Sequence, residues 1–259
     1  MAETVKSSGK SVGLFATCLV DFIRPEVGFA SAKLIEDAGF ELDVPRSQTC
    51  CGQPLYNNGD FQGTRKIARK LIDTFAGYDY VVAPSGSCAA MIKIHFPELF
   101  SEEAGDLYNK AKAIASKTYE LTEFLVAFGG SGNAVSYQGA CTYHDSCSGF
   151  RELGIHTSPR ELLGKVEGLT LTECRESTAC CGFGGTFCVK YPEISTQIVS
   201  EKAQNLQETG AQTVLGGDLG CLMNIAGFLS RQGSDIRVLH VAEVLAGCGD
   251  NAAIGKPRN

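Results

Sequence analysis

The chain has 259 residues, 30 of them glycine and 12 of them cysteine, and a net charge of −6. With 44% hydrophobic and 20% charged residues it can bury a core, which excludes a disordered chain. The acidic balance argues against a nucleic-acid partner, and no apolar run reaches the roughly 18–20 residues of a transmembrane segment. The sequence carries no clear export signal, so we expect a cytoplasmic protein whose many thiols serve metal or redox chemistry rather than disulfides.

Strand and helix patterns alternate along the first half of the chain. The helical segments carry apolar residues at helical spacing, and Gly39 is a natural stop for the first of them. The predicted elements are, in chain order, a strand over Ser11–Ala16, a helix over Pro25–Ala38, a strand over Phe40–Val44, a helix over Asp60–Phe75, a strand over Tyr80–Ala83, a helix beginning at Ser87 and a helix over Lys110–Phe128. A loop-like stretch, Gly129–Asn133, follows the last of these helices.

The second half repeats this alternation. Its predicted elements are a strand over Val135–Tyr143, a helix over Pro159–Leu163, a strand over Leu169–Thr172, a helix over Pro192–Glu208, a strand over Thr213–Leu215, a helix from Cys221 to Phe228, a strand over Ile236–Leu239 and a helix over His240–Leu245. Strands that alternate with helices indicate βαβ units and a mainly parallel sheet. We therefore predict an α/β protein of two tandem Rossmann-like repeats, residues 11–130 and 134–248, related by a pseudo-twofold.

The cysteines are duplicated as well. Cys50-Cys51-Gly52 recurs as Cys180-Cys181-Gly182, 130 positions later. One further cysteine stands 32 or 33 positions before each pair, and another stands 37 or 40 positions after it. The two sets are Cys18, Cys50, Cys51 and Cys88 in the first half, and Cys147, Cys180, Cys181 and Cys221 in the second. Random placement would not reproduce three spacings this closely, so the pattern indicates a duplication.

The members of each set follow predicted strands. Because α/β folds carry their ligand-binding loops at the carboxyl ends of strands, we expect the four thiols of each repeat to meet at one edge of its sheet. Four converging thiolates suit Zn²⁺ or an iron–sulfur cluster. Adjacent cysteines are awkward ligands for one tetrahedral ion, so the spacing favours a cluster and leaves zinc open. A vicinal disulfide is a third interpretation, but it leaves the two outer cysteines of each set unexplained.

Together these motifs resemble the cysteine-rich CCG domain family, which includes one of the subunits of heterodisulfide reductase and the iron–sulfur subunits of anaerobic glycerol-3-phosphate and glycolate dehydrogenases. The resemblance covers about Val12 to Leu245. The local sequences are similar to those of the lactate utilization members of the family, namely Phe15-Ala16-Thr17-Cys18, Gln48-Thr49-Cys50-Cys51-Gly52-Gln53-Pro54, Pro84-Ser85-Gly86-Ser87-Cys88, His144-Asp145-Ser146-Cys147 and Cys180-Cys181-Gly182-Phe183-Gly184-Gly185.

The resemblance implies a cytoplasmic iron–sulfur subunit of a complex that oxidises L-lactate, a small 2-hydroxy acid, to pyruvate. It implies iron–sulfur clusters of the 4Fe-4S type, held by the eight duplicated cysteines. It also implies two companion lactate utilization proteins, one of which carries ferredoxin-type clusters. The sequence itself lacks the C-x₂-C-x₂-C-x₃-C-P run of ferredoxin clusters and a G-x-G-x-x-G motif, so a complete flavin or nicotinamide enzyme is not visible in this chain alone.

One departure from the family pattern concerns the end of each repeat. Many relatives end in C-x-x-C, whereas here Met91 and Asn224 stand three positions after Cys88 and Cys221. Each repeat keeps four of the five thiolates. The sequence therefore leaves open whether a cluster is cubane or non-cubane, and whether one repeat binds zinc instead. The alternative functions are another redox subunit of this family, acting on a heterodisulfide, a quinone or another 2-hydroxy acid, and a zinc-stabilised scaffold with no redox role.

His144 and Asp145 are the candidates for catalysis, because they lie beside Cys147. The functional interpretation is a proton donor, or a hydrogen bond that tunes the potential of a cluster. The structural interpretation is a pair that satisfies local backbone groups at the end of a strand.

Overall fold

The computed structural model describes residues 9–102, 106–129 and 134–256. The chain divides into two compact units, residues 1–132 and 133–259. Of the predicted joint at Gly129–Asn133, residues 130–133 lie outside the described residues.

The first unit alternates strands and helices as the sequence pattern predicts. Its strands are β1 (Ser11–Leu14), β2 (Glu41–Asp43), β3 (Tyr80–Ala83) and β4 (Thr118–Glu120). Its helices are α1 (Cys18–Ile23), α2 (Pro25–Asp37), α3 (Gln53–Tyr56), α4 (Phe61–Phe75), α5 (Gly86–Ala90), α6 (Phe96–Leu99), α7 (Asp106–Ser116) and α8 (Leu121–Phe128), with a π-helical turn at Met91–His95 between α5 and α6.

The second unit has the same order of strands. They are β5 (Ser136–His144), β6 (Glu167–Leu171), β7 (Thr213–Gly216) and β8 (Arg237–His240). Its helices are α9 (Cys147–Leu153), α10 (Thr157–Leu163), α11 (Phe187–Lys190), α12 (Pro192–Gln207), α13 (Leu219–Arg231) and α14 (Val241–Leu245).

Each unit contains one parallel sheet of four strands. The strand orders are β2-β1-β3-β4 and β6-β5-β7-β8, and every pairing is parallel. In each unit the second strand lies on one side of the first strand, and the third strand lies on its other side. Because right-handed crossovers then run in opposite directions along the sheet, they put helices on both of its faces. The prediction of an α/β fold with two repeats and parallel sheets is therefore confirmed.

The reversal of strand order lies between the two central strands of each sheet, β1 and β3 or β5 and β7. At such a switch point the connections leave the sheet in opposite directions and open a crevice beyond the carboxyl ends of the strands. The central strands are apolar and buried, as Val82 and Leu215 illustrate with no exposed surface. Burial of each such side chain contributes about 1.5–3 kcal/mol, and the rigid sheet edge then carries the loops that follow it.

The predicted helix over Lys110–Phe128 is wrong in its middle. The structure ends α7 at Ser116, inserts β4, and begins α8 at Leu121. Residues Val81–Ala83 of β3 pair with Thr118–Glu120 in parallel register. β-Branched and aromatic residues such as Thr118 and Tyr119 favour extended backbone, and this strand covers an edge of β3 that would otherwise be open. The corresponding strand of the second half was predicted, so the duplication itself contained the missing signal.

Two glycines turn the backbone directly after the adjacent cysteines. Gly52 has φ 85° and Gly182 has φ 80°, in the left-handed region that other residues occupy at a cost of roughly 1–2 kcal/mol. A Cβ atom on Gly182 would stand 2.6 Å from the carbonyl oxygen of Ser195, whereas one on Gly52 would stand 3.3 Å from Cγ2 of Thr64. Both positions require glycine for conformation, and Gly182 requires it for space as well.

We expect Gly182→Ala to lower the free energy of unfolding more than Gly52→Ala, because both variants carry the left-handed penalty of roughly 1–2 kcal/mol and only Gly182→Ala adds a backbone clash. Urea unfolding of the single variants measures the difference. Gly210→Ala is the matched control, since Gly210 has φ 69° and open space around an added Cβ. Equal losses of unfolding free energy for Gly182→Ala and Gly210→Ala would contradict a clash with the carbonyl oxygen of Ser195.

The buried carboxyl of Glu120 caps α8. Its Oε2 atom accepts hydrogen bonds from the backbone N–H groups of Thr122 at 2.7 Å and Glu123 at 3.3 Å. Burial raises the pKa of Glu120 from an ordinary 4.5 to about 7. The folded chain therefore keeps this proton over a pH range in which the unfolded chain has lost it.

This difference predicts that the free energy of unfolding falls as pH rises from about 4.5 to about 7, because the unfolded state then binds fewer protons than the folded state. The contribution of Glu120 amounts to roughly 3 kcal/mol over that range. Glu120→Gln should flatten the dependence, and Glu123→Gln, which changes a more exposed carboxyl nearby, should keep most of it. Urea unfolding at several pH values measures the slopes, and identical slopes in Glu120→Gln and the parent chain would show that Glu120 titrates normally.

Candidate metal centres

The four cysteines of the first unit come together beyond the carboxyl edge of its sheet. Cys18 is the first residue of α1, which follows β1, and Cys88 lies in the short helix α5, which follows β3. Cys50 and Cys51 lie in the loop between β2 and α3. The switch point of the sheet thus gathers residues that are up to 70 positions apart in the sequence.

The sulfur atoms of the first unit form a continuous chain. Cys18 Sγ lies 3.8 Å from Cys50 Sγ, and Cys51 Sγ lies 3.4 Å from Cys88 Sγ. A hydrogen bond between Cys50 and Cys51 joins the two pairs. The N–H group of Gly52 donates to Cys50 Sγ at 3.4 Å, which the left-handed turn makes possible.

The second unit repeats this arrangement. Hydrogen bonds link Cys147 to Cys180, Cys180 to Cys181, and Cys181 to Cys221. The N–H group of Gly182 donates to Cys180 Sγ at 3.3 Å. All eight predicted site cysteines therefore lie in two groups of four, and within the described residues none of the cysteines forms a disulfide.

One thiol in each group is strongly favoured as a thiolate. Hydrogen bonds from Cys18 and then from Cys51 hold the pKa of Cys50 well below its usual range. Hydrogen bonds from Cys147 and then from Cys181 do the same to the pKa of Cys180. Each group therefore has one cysteine that ionises before the others. The ionised form, the thiolate, is the form of cysteine that binds metals.

His144 lies against the second group. One of its ring nitrogens and the sulfurs of Cys181 and Cys221 all lie within 4.8 Å of one another. The side chain is 1% exposed, and neither ring nitrogen has a hydrogen-bond partner among the described residues. Burial lowers the pKa of His144 to about 3, so the ring is neutral and does not suit a proton donor at neutral pH.

Asp145 has a different role, although it is the next residue. Its carboxylate accepts two hydrogen bonds from the guanidinium of Arg160, both at 2.9 Å, and His156 Nδ1 lies 3.3 Å away. Burial opposes its ionisation, but the hydrogen bonds and charge of Arg160 hold the pKa of Asp145 below its ordinary value. An ionised, ion-paired carboxylate fixes α10 beside the site and does not suit a proton donor.

Lys202 is a buried cation near the second group that sequence analysis missed. Its Nζ atom donates to the carbonyl oxygens of Glu176 at 2.8 Å and Ser177 at 2.7 Å, in the segment that leads to Cys180. Its charge also acts on Cys181 and on Cys221. The buried residues of α12 have the same spacing as those of α4, and Lys202 occupies the position that Leu71 has in α4. A lysine at an apolar position of the repeat is the signal that could have found it.

Both groups of cysteines suit a metal centre. Soft thiolate donors converge from three loops of each unit, and a glycine N–H group supports the sulfur that carries the first negative charge. In the second unit the imidazole of His144, which is buried and has no hydrogen-bond partner in the described part of the chain, lies near two of these thiols. Adjacent cysteines pair with different neighbours, which suits several metal atoms better than one tetrahedral ion.

A cleft of about 500 Å³ opens onto the first group. Its lining includes Cys18, Cys50, Arg46 and the exposed apolar side chains of Phe22 and Val44. The sulfurs of Cys18 and Cys50 can therefore be reached from solvent, whereas Cys51 and Cys88 are buried.

Comparison with known proteins identifies the family of this chain. Residues 12–93 and 141–226 match the sequence profile of the CCG cysteine-rich domain. The chain is 47% identical over 235 residues to lactate utilization protein A of Geobacillus sp. (strain WCH70), a match that covers 90% of this chain and 98% of that protein. It is 48% identical over 241 residues to lactate utilization protein A of Halalkalibacterium halodurans, covering 90% and 96%. The protein of the same name from Bacillus subtilis (strain 168) is 46% identical over 235 residues, covering 90% and 98%.

Among solved structures, a hypothetical protein from Helicobacter pylori has a similar fold. The TM-score is 0.68 at 10% sequence identity, and the match covers 96% of this chain and 50% of that one. At this identity the likeness concerns the fold alone.

The two matched profile segments and the high identity over most of the sequence lead to one assignment: the chain belongs to the CCG cysteine-rich domain family, among the lactate utilization A proteins.

Proposed function

We propose that this chain is an iron–sulfur electron-transfer subunit of a system that oxidises L-lactate to pyruvate. The observation that carries the proposal is the chain of four hydrogen-bonded thiols at the switch point of each sheet. The lactate part rests on the names of its relatives, which are about as long as this chain.

The chemistry requires a carrier of electrons. Oxidation of L-lactate removes the hydrogen on C2 and the hydroxyl hydrogen, which leave as two electrons and two protons. An iron–sulfur cluster, when bound, accepts one electron at a time. Two centres match a two-electron donor, provided that a partner binds lactate and that a quinone or another carrier takes the electrons onward.

The residues of this chain would hold each cluster and control access to it. Cys51 and Cys181 are 3% and 2% exposed, so one side of each group is shielded from water. Cys18 and Cys50 line the cleft of the first unit, next to the exposed side chain of Phe22. Exposed apolar side chains grouped at a cleft are a feature of surfaces that contact another protein. This cleft is where we expect a partner to exchange electrons with the first centre.

The remaining parts of the proposal concern organisation. The repeats, 11–130 and 134–248, each bind one cluster through four cysteines. The partners are two companion lactate utilization proteins, one with ferredoxin-type clusters, and the complex works in the cytoplasm. None of the helices that the structure describes combines the length and the apolar composition needed to cross a bilayer.

A zinc-stabilised scaffold is the second candidate, and one observation favours it. His144 with Cys181 and Cys221 forms a mixed nitrogen and sulfur set of the kind that structural zinc sites use. Under this alternative the second unit would hold Zn²⁺ without sulfide and would not change oxidation state.

The metal content of chain purified without oxygen separates these candidates. We expect iron with matching acid-labile sulfide and broad visible absorption. Cys50→Ser combined with Cys51→Ser should lower iron and sulfide to about half, because the second group of thiols is untouched. Cys248→Ser is the matched control, since Cys248 lies outside both groups of four and should leave the content unchanged. Full iron in the double variant, or stoichiometric zinc without sulfide in the parent chain, would overturn the assignment.

Substrate dependence is tested on the chain combined with its companion proteins. We expect L-lactate to bleach the visible absorption of the clusters, because electrons enter them from the substrate, and we expect D-lactate not to do so. Anaerobic titration with each acid measures the change. Bleaching by a different 2-hydroxy acid, with no response to L-lactate, would keep the electron-transfer role and refute lactate as the substrate.

A further inference from the structure

The first unit shows that the fold does not need a polar residue at the position of His144. Phe15 stands three positions before Cys18, as His144 stands three before Cys147. Phe15 has no exposed surface and packs edge-on against Phe75, with ring centroids 5.8 Å apart. An aromatic hydrocarbon side chain thus fills this site in one copy of the repeat, and the imidazole in the other copy calls for a separate explanation.

The burial of His144 is unfavourable by itself. A polar group taken out of water without a hydrogen bond costs about 1–3 kcal/mol, and both ring nitrogens lack a partner among the described residues. A neutral imidazole nitrogen is a common metal ligand, and coordination would compensate this cost. The two sulfurs that share its 4.8 Å neighbourhood, those of Cys181 and Cys221, belong to the thiol group of the second unit.

The distances suit coordination of one metal atom by all three residues. Metal–sulfur and metal–nitrogen bonds of about 2.0–2.3 Å place ligand atoms about 3.3–3.8 Å apart in a tetrahedron. Ligand atoms within 4.8 Å of one another reach that arrangement through small side-chain movements. The second group contains four thiols, so His144 would be a fifth donor there.

We propose that His144 is a nitrogen ligand of the metal centre in the second unit, so that the two centres of the chain differ in their ligands. The inference rests on the proposed function, in that it requires a metal in the second unit. The first centre would have thiolate ligands alone, and the second would have thiolates and one neutral imidazole.

This difference has a consequence for electron transfer. A neutral imidazole adds no negative charge to the second centre, whereas a fifth thiolate at the same position would add one and lower the reduction potential, because the added electron would meet more negative charge.

The test uses the full chain carrying Cys50→Ser and Cys51→Ser, loaded with iron and sulfide without oxygen and reduced, so that the second centre alone gives a signal. Pulsed electron paramagnetic resonance of protein labelled with ¹⁵N-histidine measures the coupling to nitrogen. We expect the strong coupling of a directly bound nitrogen, and we expect its loss in His144→Phe and in His144→Cys. His144→Phe introduces the residue that the first unit has at this position, and His144→Cys keeps a ligand in case the first variant loses iron.

His95→Gln is the matched control. His95 lies in the first unit and contacts Glu98 at 2.9 Å, so its replacement should leave the nitrogen coupling unchanged. The reduction potential gives a second readout, and we expect it to fall in His144→Cys. A weak coupling typical of a hydrogen bond, or a coupling that survives in His144→Cys, would overturn the proposal while leaving the iron–sulfur function intact.

Two outcomes separate this inference from the proposed function. If the second unit binds zinc, one nitrogen scatterer at about 2.0 Å in X-ray absorption, lost in His144→Cys, would support the ligand assignment and refute the redox role of that unit. If the parent chain binds neither metal in the second unit, both proposals fail.

Discussion

The arrangement of both sites depends on one constraint, namely that two adjacent cysteines must face different neighbours. Cys50 meets Cys18 at the surface of the first unit, while Cys51 meets Cys88 in its interior. A backbone that runs through such a pair must turn at once, and the left-handed glycine that follows makes that turn. The same glycine directs its N–H group back onto the first sulfur, so conformation and electrostatics are supplied by one residue.

The sheet positions everything else around this turn. Because the strand order reverses between the two central strands, the loops after three strands of each unit open into one crevice. Cys18 and Cys147 begin short helices there, and Cys88 and Cys221 lie near the beginnings of others. The apolar strands and the helices on both faces keep this edge rigid, which a metal centre needs because ligand positions must be held to fractions of an ångström.

The two units share this framework and differ in the residues around it. Phe15 and Leu71 are buried apolar residues of the first unit, and the equivalent positions of the second unit carry a buried imidazole, His144, and a buried lysine, Lys202. Three positions before the last cysteine of each set, the first unit has Ser85 and the second unit has Asp218, which adds a carboxyl group. Duplication preserved the thiols and the fold, and divergence changed the electrostatic environment. Such a change is a direct way to give two centres of one chain different properties.

The sequence by itself determined the α/β class, the order of most elements and the division of eight cysteines into two sets. These features follow from local patterns and from a spacing that repeats, so no knowledge of distant contacts is needed. The strand Thr118–Glu120 was missed because its three residues become a strand through pairing with β3. Only the tertiary structure decided that His144 has no hydrogen-bond partner among the residues it describes, that Asp145 pairs with Arg160 and that Lys202 lies near the second group. These contacts join side chains from different parts of the sequence. Burial makes them energetically important, because an unpaired polar group costs little free energy in water and much in a core.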